Sequence, residues 1–393
     1  MDTIRPLRSE ELSEHFALSQ FAFQYESTEE QIEQARAQTK PEHILGHFVD
    51  DHLAAQITII PLQTFVQGQP MKMGGIAGVS TWPEYRRKGL VGKLLVHGLR
   101  VMKERGQTVS FLAPFSFPFY RKYGWETYVD RKAYTVDTGL LPIFPDTGGH
   151  VKRNDDLQLL NSLYEPYAQA YNGTLKRDAD WWTDKVLKQK KGKVVVYFNA
   201  NDVPRGYMIY QVRNRELNVD ELVFLDDDAR KGLWRFIYNH DSMIERVKMI
   251  APADDPLPFL LANPRIKQEI SPYFMARIVD VASFLQQYPF RSTGQKHAFA
   301  LDITDSYAPW NSKRFAVHVN EDGRANIEAH ASVAGTEDLP LLSCDIQTLS
   351  TMLFSFQRPS LLRQIGRIQG SESAIMALEQ LVLSKQTYLL DFF

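Results

Sequence analysis

Apolar positions recur along this chain with changing periods, and each period predicts a different element. Ser27-Thr28-Glu29-Glu30 has capping-box spacing and predicts a short helix through Arg36. His43 to Val49 and Leu53 to Phe65 read as two strands joined at Asp50-Asp51, and Met73 to Thr81 as a further strand bounded by Pro83. From Lys88 to Lys103 the period lengthens, and Leu90, Leu94, Leu95, Leu99 and Met102 share one helical face. The apolar run Val109-Ser110-Phe111-Leu112 predicts a buried strand, followed by a turn rich in Pro and Phe and by Phe119-Tyr120-Arg121-Lys122-Tyr123-Gly124-Trp125.

A composition shift at Asp146-Thr147-Gly148-Gly149 sets a first boundary, giving segments 1–150, 151–282 and 283–393. The middle segment predicts helices at Leu157–Tyr171 and Ala179–Lys190, strands at Val194–Asn199, Gly206–Val212 and Leu217–Leu225, a helix from Ala229 and a strand at Val247–Ala251. That order repeats the first segment in pattern, not in residue identity. In the last segment Phe315, Val317 and Val319 alternate up to the hairpin signal Asn320-Glu321-Asp322-Gly323, and Ala325 and Ile327 alternate away from it. A helix follows with Leu349, Met352, Leu353 and Phe356 on one face. No low-complexity linker divides the segments, so one packed body is expected.

At 393 residues the chain exceeds one ordinary core. Its 44% apolar and 23% charged residues have the balance of a globular protein, and a net charge of −2 recruits no nucleic acid. Cys344 is the single cysteine, which excludes an internal disulfide and fits a reducing compartment. The polar start and the absence of an apolar run of about 18 residues predict a cytoplasmic location with no membrane partner. His43 and His47 fall in a predicted strand, where they stand roughly 13 Å apart, too far to share a metal, and no metal site is expected.

The chemistry concentrates at Gly78-Val79-Ser80-Thr81-Trp82-Pro83-Glu84-Tyr85-Arg86-Arg87-Lys88-Gly89-Leu90-Val91-Gly92-Lys93. A strand, a loop, a glycine and a helix start leave backbone N–H groups aimed outward with the positive end of the helix dipole, which suits a pyrophosphate. Gly89 admits close approach, and Arg86 and Arg87 add charge. The Arg-x-x-Gly spacing alone equally fits an ordinary strand–helix connection with a solvated basic cluster.

In context the segment resembles the acetyl-CoA motif of the GNAT superfamily, Gln/Arg-x-x-Gly-x-Gly/Ala after a strand, with Arg86 and Gly89 as the matching positions. Val91 departs from the usual Gly or Ala; it fits if its side chain turns toward the helix–sheet interface, and Gly92 follows. The whole chain resembles the Eis-type (enhanced intracellular survival) acetyltransferases, on Tyr85-Arg86-Arg87-Lys88-Gly89-Leu90, Phe119 to Trp125, Asp220-Glu221-Leu222, Leu233-Trp234-Arg235-Phe236, Arg277-Ile278-Val279-Asp280-Val281 and Tyr307-Ala308-Pro309-Trp310-Asn311. The resemblance implies an α/β (α+β) fold: a GNAT mixed sheet flanked by helices, a degenerate second copy, and a small α+β sterol-carrier-like domain. It implies acetyl-CoA as co-substrate, bound by Val79, Ser80, Thr81, Arg86, Arg87, Lys88, Gly89, Leu90, Val91, Gly92, Phe115 and Ser116. It also implies a hexamer and an amine acceptor, either a cationic small molecule such as an aminoglycoside or a lysine side chain. In the second copy Asp226, Asp227 and Asp228 stand at the corresponding turn and would repel a pyrophosphate.

Acetylation of an amine requires removal of its proton and a donor for the departing thiolate. The resemblance assigns the donor to Tyr120, whose phenol is protonated at neutral pH, with Tyr123 as a neighbour easily confused with it. Packing as an aromatic is the plainer alternative. The resemblance assigns the base to the carboxylate of Phe393, and Tyr388-Leu389-Leu390-Asp391-Phe392-Phe393 is apolar enough to be buried; a tail that only plugs the fold is the alternative. Phe115, Phe117 and Phe119, like Phe21, Phe23 and Tyr25, fit an acceptor pocket or a core equally well. A rival function is a lipid carrier built on the third segment, with a CoA-sensing first domain and no turnover.

Overall fold

The alternation along residues 44–81 is realised as a meander at the heart of the protein's computed structural model, which describes residues 2–330 and 336–393. Among the described residues twelve strands form one mixed sheet: β1 (Asp2–Pro6), β2 (Ile44–Val49), β3 (His52–Val66), β4 (Gln69–Thr81), β5 (Val109–Leu112), β6 (Glu126–Asp137), β7 (His150–Arg153), β8 (Lys193–Phe198), β9 (Pro204–Arg213), β10 (Glu216–Phe224), β11 (Arg246–Ala251) and β12 (Lys267–Ile278). Their spatial order is β1-β2-β3-β4-β5-β12-β6-β11-β10-β9-β8-β7. Asp50 and Asp51 both take positive φ, the geometry of a two-residue hairpin turn between β2 and β3.

The predicted repeat is visible in this order. β4 and β5 pair in parallel across the helix Leu90–Glu104, and β10 and β11 pair in parallel across the helix Asp227–Tyr238. Each crossover helix buries the stripe that its spacing predicts. In the first, Leu90, Leu94, Leu95, Leu99 and Met102 are buried, each contributing about 1.5–3 kcal/mol. Truncating a central one, such as Leu95→Ala, costs about 2–5 kcal/mol.

The two copies exchange their last strands. β12 lies beside β5, and β6 lies beside β11, with β12 and β6 paired to each other. One sheet therefore runs across the composition shift at 146–149. A five-stranded sheet follows in residues 297–370, in the order β15 (Ala325–His330), β14 (Lys313–Val319), β13 (His297–Thr304), β16 (Leu341–Asp345), β17 (Gln369–Gly370). All three segments share one apolar cluster, including Phe65, Tyr128, Leu160, Trp182, Phe284 and Phe354. The expected single body is realised.

Several elements differ from expectation. The short helix is capped by Thr28, with Gln31 completing the box, so it starts one residue later and runs Glu29–Gln38. His43 ends a 3-10 turn before β2. The helix at 346–353 stops before Phe356, because Ser355 takes a positive φ; Phe354 is buried in its place. Residues 182–186 form a π turn inside the predicted 179–190 helix.

Candidate active site

β4 is built to open a gap. Thr58 pairs with Ala77 and Gln56 with Ser80, so Gly78 and Val79 stand opposite the single residue Ile57, a β-bulge with Gly78 at φ +59°. Pairing with β5 ends at Ile76 and Leu112, while β4 continues to Thr81. Beyond Ile76 the β4 edge that faces β5 is therefore free of ladder bonds, a template for an extended ligand.

Past this edge Pro83–Tyr85 form a 3-10 turn, Arg87 and Gly89 take positive φ, and the helix Leu90–Glu104 begins. No side chain caps that helix, so its first N–H groups face the loop. A Cβ placed on Gly89 would meet nothing within 4 Å; the space above it is open. Here lies a cavity of about 760 Å³. Its walls are Val79, Ser80 and Thr81 from β4, Arg86, Arg87 and Gly89 to Gly92 from the turn, Phe115, and, beyond the expected set, Ala22, Phe23, Tyr85, Phe119, Lys122 and Tyr123. Arg86, Arg87 and Lys122 bring positive charge and the lining holds no carboxylate, a donor set that fits an anionic ligand.

Two expected residues do not line it. Lys88 turns its ammonium over the Tyr85 ring at 5.0 Å, and Ser116 stands at the N-terminal cap position of the helix Phe117–Lys122. Val91 lines the cavity and packs only at the edge of the core, so it does not turn under the helix. Phe23 and Phe119, ambiguous in the sequence, belong to the wall, whereas Phe117 packs against the core and Phe21 lies 5.0 Å from the Trp82 ring.

Tyr120 sits one ring layer behind this wall, 2% exposed, edge-on to Phe115 and Phe119 at 5.2 Å each. Burial drives its phenol well above the usual range. It joins Ile76 and Leu112, the last β4–β5 pair, in one cluster. Tyr123 reaches the cavity itself, with its hydroxyl pressed against Gly92 so that no Cβ fits there. The backbone carbonyl of Tyr123 accepts from the buried guanidinium of Arg277 on β12, which pairs with Asp305 at 2.5 Å. Gly124, at φ +94°, leaves room for that guanidinium.

The last residues reach the same gap from the other side. A Cβ on Gly74 would meet Met102 of the helix, and one on Gly75 would meet the ring of Phe393. Successive strand residues point to opposite faces, so Phe393 lies on the face away from the helix, one residue from Ile76. Its ring also packs on Phe274 and Trp181. Asp391 is buried and accepts from Arg177 Nε at 3.0 Å and Trp181 Nε1 at 3.0 Å. Arg177 also holds Glu221 through two bonds of 2.8 and 2.9 Å, and Lys190 pairs with Glu221.

The second copy is closed at the equivalent turn. Asp226 caps its helix by accepting from Ala229 N at 2.9 Å, and Asp227 pairs with Arg230 and Lys231. Where Gly89 leaves N–H groups free, the Asp226 carboxylate occupies one, and Asp227 adds negative charge beside it. Among the described residues no group of His, Cys, Asp or Glu is placed to hold a metal, and no helix is long and apolar enough to cross a membrane.

Models of the acetyltransferase (GNAT) domain match residues 3–128 and 173–278, and that of the sterol carrier protein domain matches 281–390. The N-acetyltransferase Eis of Mycobacterium tuberculosis is 24% identical over 318 residues, 77% of this chain and 75% of that protein. A solved Enterococcus faecalis protein, described as a probable N-acyltransferase, superposes with a TM-score of 0.91 at 29% identity over 100% of both chains. Eis1 from Mycobacterium abscessus gives 0.81 at 21% identity, again over 100% of both, a likeness of fold.

Proposed function

The chain belongs to the Eis-type GNAT acyltransferases, two GNAT domains followed by a sterol carrier domain, and on that premise we propose that it moves an acetyl group from acetyl-CoA directly to a primary amine. The supporting observation is the gap between β4 and β5, which has the uncapped helix start and Tyr120 on one face and Phe393 on the other. Acetyl-CoA supplies the activated thioester. Gly89 to Gly92, Arg86 and Arg87 hold its phosphates, and the free edge of Val79 to Thr81 lies along its pantetheine arm.

The acceptor is a cationic small molecule or a lysine side chain. Arg86, Arg87 and Lys122 repel it from the cofactor side, so it arrives from the face of Phe393. An amine of pKa about 10.4 must lose a proton before it attacks. The Phe393 carboxylate accepts that proton and releases it to solvent, and the neutral amine attacks the thioester carbonyl to form the C–N bond. The C–S bond then breaks as the departing sulfur takes the proton of the Tyr120 hydroxyl, and the second proton lost from nitrogen returns through water to the Tyr120 phenolate. Assembly into a hexamer and a cytoplasmic location accompany this reading, and sedimentation of the purified protein measures the first.

Acetyl-CoA turnover against a panel of polyamines, aminoglycosides and lysine peptides tests the proposal. The native chain is compared with chains that are extended after Phe393 or lack it. The deletion withdraws the carboxylate by about 3.3–3.6 Å, where about 1 Å can cost 10²-fold. Amine-dependent CoA release should occur and should collapse in both variants with acetyl-CoA affinity intact. Full turnover by the extended chain would rule out the terminal base.

A further inference from the structure

We propose that the buried ion network of Arg177, Glu221, Lys190 and Asp391 is a latch that positions the end of the chain for catalysis, an inference resting on the terminal-base reading above. Residues 383–393 contain no helix and no strand, only one bridge between Thr387 and Asn172, so their placement depends on side chains. Gln67 and Ser355 hold the Leu383 carbonyl, and beyond Tyr388 the side chains come from the second copy. Lys190 donates to the Leu390 carbonyl at 3.0 Å, Tyr273 to the Asp391 carbonyl at 3.1 Å, and Gln189 to the Phe392 carbonyl at 3.5 Å.

Asp391 is the fixed point. Its carboxylate is 3% exposed and takes bonds from Arg177 and Trp181, while Arg177 is clamped between Asp391 and Glu221 and stacked over Tyr164 at 3.8 Å. Two cations and two anions balance, so the network adds no net charge beside the terminal carboxylate. A plug would need no such device: Tyr388 and Leu389 are already buried, and Phe392, which the apolar run predicts to be buried, is 52% exposed. Only two residues follow Asp391, and they span at most about 7 Å. Anchoring Asp391 therefore limits how far the Phe393 carboxylate can stray from the seat of its ring on Gly75, one residue before the last β4–β5 pair. In this reading Arg177, Glu221, Lys190 and Asp391 act through the terminus and are positioning residues.

Asp391→Asn keeps the shape and leaves Arg177 its two bonds to Glu221. In the full-length chain it should lower kcat about 30-fold or more and leave KM for acetyl-CoA within about twofold. Trp181→Phe removes one bond to Asp391 and keeps a ring against Phe393; it should lower kcat about 3- to 10-fold, and it carries the test if the first variant does not fold. Each substitution is repeated in a chain extended beyond Phe393, where it should change kcat no further, because both lesions act on one group. A substituted chain with parental kcat, while the extension abolishes turnover, overturns the latch and leaves the terminal base standing. Loss of acetyl-CoA affinity in step with kcat overturns it as mere destabilisation. Full turnover by the extended parent removes the terminal base, and the latch with it.

Discussion

The ring of Phe393 fills the space over Gly75, with an atom 2.7 Å from where a Cβ would stand. The only residue type that leaves this space is the one present. Gly75→Val should lift the ring off β4, lower kcat at least about 10-fold and spare acetyl-CoA affinity. Steady-state kinetics with both substrates varied checks it, and an unchanged kcat would show that the ring's seat has no part in turnover.

Gly89→Glu should abolish acetyl-CoA binding with the fold intact. The new Cβ meets no atom, and left-handed φ costs a non-glycine residue about 1–2 kcal/mol, which a protein of this size survives. The carboxylate would enter the space where phosphate oxygens meet the helix start. Calorimetric titration decides, and parental affinity would displace the proposed phosphate site.

Tyr120→Phe should lower kcat about 10²- to 10⁴-fold, the range of a lost general acid. Tyr123→Phe removes a hydroxyl that presses on Gly92 and should cost less than about 10-fold. Because burial holds the Tyr120 phenol well above its ordinary value, kcat should show no basic limb from this donor up to about pH 10. The reverse ranking of the two variants would hand the donor's role to Tyr123.

Acid stability should depend on Glu221. Burial alone would raise its pKa, but Arg177 and Lys190 hold it well below the ordinary value of 4.5. A depressed folded pKa gives stability that is fully present above the unfolded value and lost as pH falls toward the folded one. Denaturation midpoints should therefore decline below about pH 4.5, and Glu221→Gln should flatten that branch while costing about 3–5 kcal/mol at neutral pH. Parallel acid branches in the two proteins would refute this.

What could be read from the sequence was local. The face of Leu90, Leu94, Leu95, Leu99 and Met102, the turn at Asp50-Asp51 and the strand Val109–Leu112 each follow from neighbours a few residues apart. β12 went unpredicted because its first half, Lys267 to Pro272, is exposed and polar, and its apolar half finds partners more than a hundred residues earlier. Of the cavity, the turn and β4 were legible because glycine and arginine spacing is chemical. Nothing in Phe119 to Trp125 says which side chain faces out, so the sequence marks Tyr123 only as a neighbour of Tyr120 and does not single out Lys122. The latch was invisible: Arg177, Glu221 and Asp391 carry no mutual spacing, and only the fold brings their charges together.

The exchanged strands have a consequence for biogenesis. As the chain leaves the ribosome, β5 and β6 emerge without the strand that belongs between them, and β12 follows about 140 residues later. At ordinary synthesis rates that interval is on the order of 10–30 s, during which two apolar strand edges stand open to neighbouring nascent chains. The time taken to make residues 138–266 thus sets how long the first copy stands without the strand that joins β5 to β6.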